Sequence, residues 1–285
     1  MPKTSSLLVL MLAFATAHAS AASQYQMKLA KPGIKVSSTT APAEPTSPTV
    51  PAHCVAAGTI EFTQAGDSTW PVPAGCSEAT IKVWGAGGAN SPEGVSGGAG
   101  AFVSGKLTLI PGSTLALRVG AAGVYNTTRS VSGGGGLTGV WQGNAPLLVA
   151  GSGGGAGKIP RGGAGGQAGE GIFVGQAGTS AQGGSGCDGA VGSAWTGATV
   201  VTSMKGYSAG SGGAGYFGGG GSCAIWWNSD YYGGAGGGGS NYVAPSLAEP
   251  VSLTGWYQSP AAPADPHRGS AGGPQSPGKI VISYR

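Results

Sequence analysis

Charge is scarce in this sequence. Lys, Arg, Asp and Glu together supply 8% of its 285 residues, against roughly 25% in an ordinary soluble domain. Fourteen dispersed basic residues form no dense Lys/Arg patch, so a nucleic-acid partner is excluded. A net charge of +4 with 40% apolar content also excludes a disordered chain held open by its own charge. Long apolar runs are missing. The run at 7–14 falls short of the roughly 20 residues a membrane helix needs, and no later segment is longer and apolar enough, so no integral membrane segment is expected. Histidine occurs three times. H-E-x-x-H, G-x-S-x-G and a P-loop ending in Gly-Lys-Ser/Thr are all absent. Glu93, Glu170, Asp188 and Asp230 stand far apart, which offers no carboxylate pair for glycoside chemistry and no dense oxygen set for calcium. We therefore expect no catalytic residue, no metal and no cofactor. Apolar residues never recur at helical spacing over a sustained window, so helices are not expected either.

The N-terminus supplies an address. Lys3 precedes the apolar run, and Ala17-His18-Ala19 follows it, the pattern of a secretory signal peptide cleaved before Ser20. We assign residues 1–19 to that signal and 20–56 to a disordered linker, because 37–51 is dominated by Pro, Thr and Ser and cannot bury a core. The remainder, 57–285, is one domain. Its setting is extracellular: a cell surface, a matrix or the periplasm. Cysteine usage fits export. Cys54, Cys76, Cys187 and Cys223 make an even set, which an oxidising compartment turns into disulfides. Four cysteines allow three pairings, and the local one, Cys54–Cys76 with Cys187–Cys223, is the simplest. Zinc is disfavoured by the lack of any C-x-x-C spacing.

What the sequence has in excess is glycine, 60 residues, about one in five. Strand-like segments interrupt it. Apolar and polar residues alternate at 58–63, 79–84, 101–110 and 114–119, and further apolar pieces lie at 146–150 and 279–284. Residues 70–75, with two prolines and a glycine, read as a turn. The glycine tracts between strands often keep a period of three: Gly163, Gly166, Gly169; Gly212, Gly215, Gly218, Gly221; Gly233, Gly236, Gly239. Glycine loses more backbone entropy on ordering than any other residue, so the tracts are either flexible linkers or packed helices that exchange hydrogen bonds. A left-handed extended helix with three residues per turn meets the second requirement, since its peptide groups point sideways. The tracts alternate with strands, aromatics and cysteines, which favours packing.

The order of several motifs resembles the glycine-rich domain family. These are Trp70-Pro71-Val72-Pro73-Ala74-Gly75, Val83-Trp84-Gly85-Ala86-Gly87-Gly88, Pro111-Gly112-Ser113, Val119-Gly120-Ala121-Ala122-Gly123 and the closing Gly278-Lys279-Ile280-Val281-Ile282. That family occurs in bacterial and phage surface proteins and in the ectodomains of anaplastic lymphoma kinase and leukocyte tyrosine kinase receptors. The segment around Cys223 and the upstream Cys187 are most similar to the receptor type. The resemblance implies an all-β fold, a jelly-roll or TNF-like β-sandwich with an inserted bundle of polyglycine-II helices. It also implies extracellular binding without catalysis. No kinase or transmembrane part accompanies it here.

One cluster stands out as a candidate surface. Trp226, Trp227, Asn228, Asp230, Tyr231 and Tyr232 follow Cys223 directly and sit between two glycine tracts. Flat rings suit stacking, and the amide and carboxylate suit orientation of a ligand. The same residues could instead cap the end of the glycine bundle. Trp256-Tyr257-Gln258 is a weaker instance of the same pattern. The function expected is a secreted, non-enzymatic binding or adhesion module whose partner is an extracellular protein or glycan. A structural protein of a wall, coat or matrix, and an ice-binding protein, are the alternatives.

Overall fold

The computed structural model describes Cys54 and residues 56–201, 204, 206–227 and 230–285, with Trp227 described in its backbone only. Residues 1–53, which hold the segment assigned above to a signal peptide and most of that assigned to a linker, lie outside this set, as do Val55, Asn228 and the Trp227 ring. Fifteen strands occur among the described residues: β1 (Gly58–Phe62), β2 (Gly66–Pro71), β3 (Glu78–Trp84), β4 (Phe102–Thr108), β5 (Thr114–Val119), β6 (Tyr125–Asn126), β7 (Val131–Ser132), β8 (Thr138–Gln142), β9 (Ala145–Ala150), β10 (Ala209–Gly210), β11 (Ala224–Trp227), β12 (Asp230–Gly233), β13 (Tyr242–Val243), β14 (Ala248–Leu253) and β15 (Lys279–Tyr284). A single short 3-10 turn, Cys187–Gly189, is the only helical element among them.

Two five-stranded antiparallel sheets form a β-sandwich. The first runs β1-β15-β3-β4-β14 and the second β13-β9-β8-β5-β2. Alternation explains which side chains meet between them. In β5, Leu115, Leu117 and Val119 are buried while Thr114, Ala116 and Arg118 are exposed. In β3, Ala79, Ile81 and Val83 point inward. These residues join Val103, Val140, Leu148, Ile280 and Ile282 in one core. The outer face of the first sheet is covered as well. Val281, Trp84 and Phe102 pack there beneath Ala261 and Ala271 of the 254–278 connection, with the Trp84 and Phe102 rings 4.8 Å apart.

The sequence reading differs from this arrangement at several places. Residues 70–75 are not all turn: Trp70 and Pro71 end β2, and Trp70 is buried opposite Leu115. Pro71 is tolerated because β2 is an edge strand, where a missing N–H breaks no inner ladder. The aromatic cluster, for which the sequence reading gives no strand, falls on the two paired antiparallel strands β11 and β12.

The connection over the first sheet is fastened by an ion pair. Lys82 Nζ lies 2.7 Å from Asp265 Oδ2. Partial burial pushes the Asp265 carboxyl up, but the Lys82 hydrogen bond and the His267 N–H more than offset this, and its pKa lies below the usual aspartate value. An acid whose folded pKa is depressed contributes stability above its unfolded pKa and loses it as pH falls through the folded value. Asp265→Asn is therefore expected to cost about 1.5 kcal/mol at pH 7. The gap to wild type should narrow as pH falls below about 4, the unfolded carboxylate value, and close once it passes the lower folded value. Guanidinium unfolding at pH 7 and pH 3 measures it.

The glycine tracts are packed. Consecutive N–H groups in one tract donate to different neighbouring tracts, and every third one returns to the same neighbour. Gly236 and Gly239 donate to the carbonyls of Gly155 and Ser152; between them Gly237 donates to Gly220 and Gly238 to Gln167. Likewise Ser152 and Gly155 donate to Ala214 and Ser211, and Gly210 and Gly213 to Gly234 and Gly237. The glycines in the middle of these tracts are buried. Buried peptide groups must be paired, and here the partners are other tracts, not a sheet ladder.

Candidate functional site

The hairpin of β11 and β12 grows out of this glycine body at two anchored ends. Cys223, which precedes β11, is disulfide-bonded to Cys187. Beyond β12 the chain enters the tract that ends at Gly239. The second disulfide joins Cys54 to Cys76, so both local pairings expected from the sequence are present. Tryptophan, tyrosine and isoleucine favour a pleated backbone, which accounts for strands between two glycine tracts.

The register sets Trp226 opposite Tyr231 and Ile225 opposite Tyr232. Opposite residues share a face. On one face, the Trp226 and Tyr231 rings meet edge to face at 4.7 Å, and Tyr231 also lies 4.6 Å from Tyr207. Trp226 remains 60% exposed, more than a capping role requires. Lys158 completes the group. Its Nζ stands 4.8 Å over the Tyr207 ring and donates to Asp230 Oδ2 at 3.1 Å and to the Tyr231 carbonyl at 3.3 Å. The Lys158 hydrogen bond, helped by the Tyr231 N–H, holds the exposed Asp230 carboxyl below the usual range. On the other face, Tyr232 packs toward Phe173, with ring centroids 6.3 Å apart.

The structure thus brings together Trp226, Asp230 and Tyr231 and turns Tyr232 away. Asn228 and the Trp227 ring lie outside the described residues. Lys158 and Tyr207 were missed by sequence reasoning. They stand 72 and 23 residues before Asp230, each beside glycine, and nothing local marks them as partners of the hairpin. Trp256 is 66% exposed at a separate place, next to Tyr257 and Arg161.

The cluster presents ring faces, a cation and an anion at the surface, a set suited to stacking and cation–π contact. Cys187, Asp188 and Cys223 form a close group of potential metal-ligand residues among the described residues. Its two sulfurs are joined in the disulfide and offer no thiolate. No described helix is long and apolar enough to cross a membrane. The two disulfides fit an oxidising compartment.

A family model described as a glycine-rich domain matches residues 63–285. No curated protein matches the chain.

Proposed function

Since the chain belongs to the glycine-rich domain family over most of its length, we propose that it is a secreted, non-enzymatic binding module acting at a cell surface or in an extracellular matrix. In this reading the sandwich has jelly-roll topology and the tracts are polyglycine-II helices. The three-residue recurrence of hydrogen-bond direction supports that assignment, because a threefold extended helix turns its peptide groups by a third of a turn per residue. The bundle then acts as a rigid mount for the hairpin.

The observation that carries the binding role is the exposure of Trp226 beside Tyr231, Tyr207 and the Lys158–Asp230 pair. Aromatic anchors on a rigid support lose little entropy on binding, and truncating one typically costs 2 kcal/mol or more, roughly a 30-fold loss of affinity. Trp226→Ala is expected to weaken binding of the labelled protein to host cells by about that factor. Its melting temperature should shift by less than about 3 °C, since so exposed a ring contributes little to folding. Unchanged binding together with a large fall in melting temperature would make the indole a cap and retire the hairpin as a site.

A further inference from the structure

The outer face of the second sheet carries a cleft remote in sequence from the hairpin. Thr69, Ala116 and Trp141 lie opposite one another across β2, β5 and β8, and Asp67, Arg118 and Gly139 form the next row. Ala116 is small and exposed, so the middle of the face is low. Gly139 makes room for the neighbouring indole: a Cβ there would sit 2.8 Å from Trp141 Cη2. On the other side of the dip, Arg118 grips Asp67 with two parallel bonds, Nε to Oδ1 at 2.5 Å and Nη2 to Oδ2 at 2.9 Å.

The remaining wall comes from the glycine body. A tight turn, closed by the Ser193 N–H to the Thr196 carbonyl at 2.9 Å, holds Trp195 over the sheet. Its ring lies 6.1 Å from Trp141 and 5.3 Å from Tyr216. Trp195 has φ +70, a conformation a bulky residue rarely adopts. Glycine would serve the turn without strain, in a region where glycine is everywhere. What only tryptophan supplies is the indole. The open cleft has a volume of about 630 Å³, within the range of small-ligand sites.

We propose that this cleft binds a neutral oligosaccharide. The two indoles offer apolar surface against which the C–H face of a pyranose stacks. The Arg118–Asp67 pair offers hydroxyl partners: two of the five guanidinium donors are used on Asp67, and the carboxylate keeps further lone pairs. Because the pair is internally neutralised, it favours a ligand rich in hydroxyls and without charge. Sulfate or sialate would face Asp67, and an amine would face Arg118. Thr69 adds a hydroxyl at the edge. This site stands apart from the hairpin reading and does not depend on it.

The test is retention of the intact protein on an array of neutral, sialylated and sulfated glycans, followed by titration calorimetry with the best neutral oligosaccharide. Trp195→Gly keeps the turn geometry and removes one wall. Ala116→Arg keeps both walls and fills the floor. Each is expected to weaken neutral-glycan binding at least about 10-fold while the protein stays folded by circular dichroism, whereas Trp226→Ala leaves binding intact. No retention on neutral glycans, or retention only on charged ones, overturns the proposal. So does binding that survives both cleft variants, or that is lost with Trp226→Ala, which would move the sugar to the hairpin.

Discussion

Gly237→Ala is expected to abolish folding. The side chain added is one methyl group, usually the mildest change a protein can meet. Here its Cβ would lie 2.5 Å from the Gln176 carbonyl carbon and closer still to its oxygen. Real Cβ atoms do not approach backbone below 3.0 Å, so one of the two tracts must move. Neither is free to. The Gln176 carbonyl accepts the Gly220 N–H at 2.8 Å, and the Gln176 N–H donates to Ser185 at 2.7 Å. Gly237 itself donates to Gly220 and accepts from Gly213. Relief of the clash therefore breaks several buried hydrogen bonds, each leaving groups that cost about 1–3 kcal/mol unpaired. A total above about 5 kcal/mol approaches the whole stability of a typical domain. Circular dichroism and soluble yield should show loss of the folded state. Gly58→Ala is the control. Gly58 lies on edge strand β1, and its added Cβ would meet Tyr284 Oη at an ordinary 3.5 Å, so stability should stay within about 1 kcal/mol of wild type. Equal tolerance at both positions would mean the tracts are loose.

That contrast also explains what was legible in the sequence. Most inner strands were: β3 and β5 each bury one alternate set of side chains, and β15 is a short apolar run buried on both faces, whereas the inner strand β8 was not read. β14 was not. All six of its residues are exposed and one is Pro250, so no alternation betrays a strand that pairs with β4 along one edge only. β2 buries only Trp70, and the turn residues Pro71, Pro73 and Gly75 that overlap and follow its end speak louder than that one ring. For the glycine tracts the period of three was visible but the pairing was not. A strand states its register through which side chains must be inside, whereas a glycine tract has no side chains with which to choose a neighbour. Contacts between distant tracts decide where Lys158 and Tyr207 meet the hairpin and where Trp195 meets Trp141. The aromatic richness of 226–232 could be read; the partners that complete the cluster could not.

Removing the Cys187–Cys223 disulfide is expected to have the largest effect of any change outside the glycine packing. The bond closes a 36-residue loop, for which chain entropy alone gives about 4 kcal/mol. In a domain of this size that corresponds to roughly 8–16 °C in melting temperature. The glycine tracts make the loss harder to absorb, because the enclosed segment holds many glycines and regains more backbone entropy on unfolding than an average loop. The effect should also be local. Cys223 is fully buried immediately before β11, and the Cys187 N–H donates to Gly221 two residues upstream of Cys223, so the bridge fixes the base from which the hairpin rises. Cys187→Ala/Cys223→Ala should therefore lower the melting temperature and raise hydrogen exchange in β11 and β12 before it does so in the sandwich. The Cys54–Cys76 bridge closes 22 residues, worth about 3.4 kcal/mol by the same entropy relation, yet it ties the start of the domain beside β3. Its removal should leave hairpin exchange unchanged. A double alanine variant at 187 and 223 that melts within about 2 °C of wild type, with unaltered exchange in β11 and β12, would show that inter-tract hydrogen bonds alone hold the hairpin in place.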